Sequence, residues 1–189
     1  MDRNREMKEI IKKLMIALAM LLVSGVAMAQ DVTTFMGIPI DGTEEAMRNK
    51  LKAKGFREVG KDKNLKGEFF GREAYIYVDG HDDLADSVGV VFLCDDDKDA
   101  TRLYNSIFTG MFEGGKYVHI SGDVIENNTD LRQVISAMGK DSVDAWFWQN
   151  GDENKPVLLT VTYNTKYGDY DVSMMYWNRK NWYNINNDL

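Results

Sequence analysis

Apolar and polar positions alternate along this chain in two different periods, and the change from one to the other marks its elements. In Phe35 to Phe56, Met47 and Leu51 are four residues apart on one face, flanked by Ala46 and Lys50, which is helical spacing. Asp41, Gly42 and Thr43 supply turn and cap chemistry ahead of it, and Glu44 and Glu45 put negative charge where the helix dipole favours it. Gly55 followed by Phe56 has the form of a glycine stop with a hydrophobic contact back to Leu51. The spacing predicts a helix from Thr43 to Lys54.

Period two follows. Lys66 to Phe70, Glu73 to Asp79 and Ser87 to Cys94 read as strands, the first two joined by a tight turn at Gly71-Arg72. Ala74, Ile76 and Val78 share one parity, as do Val88, Val90, Phe92 and Cys94, so each strand has a face to bury. GHDDLAD reads as an acidic connecting loop, and Asp95-Asp96-Asp97 as strand end and helix cap. From Asp97 to Phe112 the period returns to three and four, through Ala100, Leu103, Tyr104, Ile107, Phe108, Met111 and Phe112, and Gly114-Gly115 ends that helix. KYVHIS is a short extended piece, and Asn127-Asn128-Thr129 is a cap cluster for a short helix through Leu131, Val134, Ile135 and Met138, closed by Gly139. Val143 to Gln149, Pro156 to Asn164 and Tyr170 to Trp177 then alternate as three more strands.

This order is helix and meander, then two helices and meander, with little residue identity between the halves. It predicts an α+β fold: an antiparallel sheet with its helices packed on one face. Residues 30–189 form one compact domain in this reading, made of halves at about 35–95 and 96–180.

Ahead of the domain, Lys8, Lys12 and Lys13 precede the apolar run from Leu14, which ends in Ala27-Met28-Ala29. That is the pattern of an export signal, residues 1–29, cleaved between Ala29 and Gln30, with translation starting at Met1 or at Met7. The run is shorter than the ~20 apolar residues of a membrane span, and the mature chain offers no other candidate. Loss of five basic and three acidic groups with the leader takes the formal charge from −7 to −9. An acidic surface repels phosphate backbones, which argues against nucleic acid as a partner. Cys94, the single cysteine, rules out an internal disulfide and does not lie at the cleavage site where a lipid anchor would. A periplasmic or secreted location fits.

The G-I-P-I-D-G-T opening and the M-x-x-x-L-x-x-x-G-F helix resemble a group of small exported proteins of Gram-negative gut anaerobes. The helix-then-meander order is similar to the β-lactamase-inhibitor-protein-like class, shared with small outer-membrane assembly lipoproteins. The resemblance implies action by binding other proteins.

No residue set points to catalysis or to a cofactor. His81 and His119 stand apart with no zinc-ligand spacing, Cys94 is in phase with Phe92 and reads as a buried thiol, and the acidic stretches 79–86, 95–99 and 150–154 lack the calcium-loop pattern. What stands out is aromatic density in the second half. Trp146, Trp148, Tyr163, Tyr176 and Trp177 are the candidate binding residues. Val143, Ala145 and Phe147 with Val157, Leu159, Val161, Val172 and Met174 already make a core face, which leaves the tryptophan face to a partner or to the core. The expected role is a non-catalytic module that binds another protein through this face. The alternative is a glycan-binding module, with sugars stacked on Trp146, Trp148 and Trp177.

Overall fold

The structure is a computed structural model that describes residues 32–126, 129–137 and 141–179. The stretch expected to be an export signal, with its expected cleavage site, Asn127 and Asn128 of the cap cluster, Met138, Gly139 and the residues after Arg179 lie outside the described residues.

The first helix, α1 (Glu44–Ala53), forms where its caps dictate. Thr43 is extended, and its Oγ1 accepts from the Ala46 N–H at 3.2 Å. At the other end Gly55 takes φ +103°, so its N–H reaches the Lys52 carbonyl and the Phe56 N–H the Leu51 carbonyl, the double bond of a Schellman stop. Met47 and Leu51 are fully buried. Phe56 lies so close over Gly67 that a Cβ there would stand 2.6 Å from its ring.

The main sheet has eight antiparallel strands. Four come from the first half, β3 (Arg57–Val59), β4 (Asn64–Phe69), β5 (Arg72–His81) and β6 (Leu84–Cys94), and four from the second, β7 (Tyr117–Ser121), β8 (Ser142–Gln149), β9 (Pro156–Asn164) and β10 (Asp169–Trp177). Their order is β3-β4-β5-β6-β10-β9-β8-β7, so β6 against β10 is the seam between the two meanders. The helices α2 (Asp97–Glu113) and α3 (Leu131–Ala137) complete the described elements and lie, like α1, on one face: Phe108 of α2 meets Phe147 edge-on at 5.4 Å, and the Arg132 guanidinium of α3 sits over the Tyr163 ring. The chain is therefore α+β with a mostly antiparallel sheet, and no helix among the described residues is long and apolar enough to cross a membrane.

Local chemistry corrects several boundaries. The β4–β5 turn is Phe70-Gly71, both at positive φ, one residue before the expected Gly71-Arg72. GHDDLAD is mostly strand: only Asp82 and Asp83, again both at positive φ, form the turn. A bulge between Asp79 and Gly80 absorbs the irregular spacing, and Gly80 is required there because a Cβ would lie 1.8 Å from the Leu84 carbonyl oxygen. The short helix is capped by Asp130, whose carboxylate accepts from the Gln133 N–H at 3.2 Å.

A small hairpin, β1 (Thr34–Phe35) with β2 (Ile38–Pro39), was not evident from the pattern. It is stitched to the end of the domain. Gln149, fully buried, accepts from the Thr34 N–H at 2.7 Å and donates to the Thr34 carbonyl at 2.8 Å; Asn178 donates through Nδ2 to the Ile40 carbonyl. Phe35 is thereby held against Phe69 and Tyr176, 5.2 Å from each ring.

Two substitutions test this packing. Leu51→Ala should lower stability by about 2–5 kcal/mol, as for a buried leucine that leaves a cavity, and a denaturation midpoint close to wild type would show that α1 is not seated on the sheet. Gln149→Ala should cost about 1–3 kcal/mol for each backbone group of Thr34 left unmet, read from the same curves.

Candidate functional site

Strand parity divides the sheet into two faces, and the register fixes which residues share each. On the helix side stand Val88, Val90, Phe92 and Cys94, opposite Tyr176, Met174, Val172 and Tyr170, with Val157, Leu159, Val161, Val143, Ala145 and Phe147 beyond them. No helix among the described residues covers the other face. Along β10 it presents Asp169, Asp171, Ser173, Met175 and Trp177, a strand that runs from carboxylates to an aromatic.

At the aromatic end, Trp146 pairs across with Leu158 and Leu158 with Met175, while Trp148 pairs with Pro156 in the adjoining row. The Trp146 and Trp177 rings reach over β9 and stack, with centroids 5.7 Å apart and planes 17° from parallel. Trp146, Trp148 and Trp177 are all half-buried. With Pro156 and Arg179, Trp146 and Trp177 line an open depression of about 280 Å³. Met175 reaches Gly89, which has no side chain, and a Cβ at Gly89 would sit 3.1 Å from its Cε. Tyr77 flanks Gly89 from β5, so the apolar strip crosses four strands beside it.

Tyr163 and Tyr176 do not belong to this face. Both carry helix-side parity: Tyr176, 3% exposed, packs against Phe35 and is core, and Tyr163 lies 5.1 Å from Tyr170 under the Arg132 guanidinium. Aromatic density grouped them with the tryptophans, whereas register separates them. Pro156, Leu158, Met175, Tyr77 and Arg179 were not singled out by sequence; shared parity with Trp177 was the available signal for Met175, and no local signal marked Arg179.

The opposite end of the face is polar. Asp144 accepts from the Ser142 and Thr160 hydroxyls, at 2.8 and 2.7 Å, and Glu73 is paired with Lys66 at 2.6 Å. Asp169 and Asp171 have no such partners: the Oδ1 of each is buried without a hydrogen bond among the described residues. Burial, and then the neighbouring charge of Asp169, pushes the Asp171 carboxyl above its usual range.

The remaining titratable groups make no reactive set. Burial pushes the Cys94 thiol up to about 12, which keeps it protonated, with the charge of Asp99 adding to the shift. His119 is wedged among the rings of Phe108, Phe112 and Phe147, with Nε2 2.9 Å from the Gly122 carbonyl, and His81 stands exposed at the β5–β6 turn. The described residues contain no cluster of three or more His, Cys, Asp or Glu able to hold a metal ion. Comparisons with protein-family models, with curated proteins and with solved structures give no match.

Two expectations follow from these groups. A carboxyl whose pKa is raised by folding binds its proton more tightly in the folded state, so stability falls as pH rises from about 4, the ordinary value, through the raised one. Asp171→Asn should remove that fall: the melting temperature of the variant should exceed wild type at neutral pH, with the gap closing as pH drops below 4. Millimolar calcium or a chelator should leave the melting temperature unchanged, because linkage requires a site that binds the native state; a rise of many degrees with calcium would contradict it.

Proposed function

We propose that the protein is an exported, non-catalytic module that binds another protein through the open face of its sheet. One observation carries this reading. Trp146, Trp148 and Trp177 share a face with Leu158 and Met175, outside a core that the opposite parity fills without them. Tryptophan, tyrosine and methionine are the residue types that concentrate at the buried centres of protein interfaces, and contiguous exposed apolar surface on a small domain usually marks a contact site. The resemblance of the element order to the β-lactamase-inhibitor-protein-like class points the same way, and the export setting rests on the leader pattern of residues 8–29.

The depression beside Arg179 is the feature that favours the glycan reading, because carbohydrate sites set tryptophan faces beside polar groups. Its size and geometry favour the protein reading more. At about 280 Å³ it is smaller than most clefts that enclose whole ligands, about 300–1,000 Å³, and suits one anchoring side chain. Rings 5.7 Å apart also leave no slot between them, since a sugar sandwiched at van der Waals contact needs about 7 Å.

Trp146→Ala and Trp177→Ala decide between surface and core. Each should lower stability by less than about 1.5 kcal/mol, the loss for a partly exposed ring, while abolishing capture of a protein partner from periplasmic extract. A loss of about 3–5 kcal/mol would make the tryptophans core and end the proposal. Retention on a glycan array that is lost in both variants, with no protein captured, would replace it with the glycan reading.

A further inference from the structure

Resting on the reading of the open face as a protein-binding surface, we infer that its partner presents lysine or arginine side chains to Asp169 and Asp171 and an apolar anchor to the depression that Trp146 and Trp177 line with Pro156 and Arg179. Four adjacent strands, β6, β10, β9 and β8, turn Ser87, Gly89, Val91 and Leu93, then Asp169 to Trp177, then Pro156 to Asn164, then Ser142 to Trp148 toward the open face by alternate residues, and no lysine or arginine is among them. Of the other carboxylates on the face, Glu73 is answered by Lys66 and Asp144 by two hydroxyls, and Asp79 on β5 is exposed to water. Asp169 and Asp171 are not so answered, and they lie on the strand at the middle of the sheet, where a docked surface would cover them.

Covering an unpaired carboxylate with apolar surface would cost several kcal/mol, so a partner that seats on the tryptophans and extends along β10 must supply donors at this end. Cationic donors fit best, because they also complement the net negative charge of the chain and speed encounter. The fit has a length. Six residues of strand separate Asp171 from Trp177, about 20 Å, which is the spacing the partner must span between its basic group and its anchor. Arg179 sits at the tryptophan end and repels a second cation there, which fixes the direction in which such a segment lies.

The test uses the full mature chain and two synthetic peptides as probes. Each peptide carries a leucine anchor; at a position about 20 Å along the extended chain, one carries a pair of lysines and the other a pair of glutamates. Binding is read from the protein's own tryptophan emission at low and high salt. The lysine peptide should bind about tenfold more tightly or better at low salt, as one charge-assisted contact provides, and salt should shrink the difference. In the double variant Asp169→Asn, Asp171→Asn, whose circular dichroism should match wild type, the preference should disappear, and Trp177→Ala should weaken both peptides. Equal binding of the two peptides, or a preference that survives in the double variant, overturns the inference; if Trp177→Ala still weakens both, the aromatic face stands without it. No change in emission with either peptide up to millimolar concentration overturns the inference and the proposed function together.

Discussion

The pairing of β6 with β10 holds the structure to a single solution. Each strand belongs to a different meander, and their register, Cys94 opposite Tyr170 through Ser87 opposite Trp177, joins two four-stranded pieces into one sheet. Because strand side chains alternate, a slip of one residue at this seam would turn the Val88, Val90 and Phe92 row, or the Val172, Met174 and Tyr176 row, toward the uncovered face. Both rows are fully or almost fully buried, so every other choice in the fold has to respect the seam. The helices lie on the side it selects. Arg72, at the start of β5, makes a two-bond fork with Asp99 in the first turn of α2 and ties the first meander to the second half's helix on that same side.

The seam also explains the N-terminal hairpin. Tyr176 ends the buried row of β10, and Phe69 ends that of β4; Phe35 fills the space above both rings. A hairpin of two-residue strands could not hold in isolation. Backbone groups of residues 33–40 are met from further along the chain by Gln149 and Asn178, and the Trp177 carbonyl accepts from the Thr33 hydroxyl. A polar glutamine at full burial is stable only because both ends of its amide are used.

What was legible in the sequence was what is decided locally. The cap at Thr43 and the glycine stop at Gly55 are each satisfied within a few residues, and parity within a strand needs no partner to be read. The β1–β2 hairpin was not legible, since Thr34 and Gln149 are 115 positions apart and neither residue type announces the other. The β4–β5 turn was off by a residue because positive φ fell on Phe70, whose side chain usually avoids it. At the candidate site, parity alone put Trp146, Trp148 and Trp177 together. Tyr163 and Tyr176 were grouped with them by abundance, although their own strands' alternation places them among Val161 and Met174. Arg179 and the unmet state of Asp169 and Asp171 depend on three-dimensional neighbours and carry no sequence signal.

Strand β10 therefore carries two sets of positions under different physical demands. Its even positions, Tyr170, Val172, Met174 and Tyr176, meet core on one side and cannot change without leaving a cavity or straining the seam. The odd positions face outward at the middle of a wide sheet, where folding alone asks only for polar or β-branched residues that keep neighbouring sheets from adhering. Instead they hold two unpartnered carboxylates at one end and a methionine and a stacked tryptophan at the other. Neither choice favours the isolated domain: the carboxylates cost desolvation, and the aromatic strip leaves apolar area in water. A surface that is unfavourable in two chemically opposite ways along one strand is what the proposed contact would relieve, and the alternation on that strand separates what folds the protein from what that contact would use.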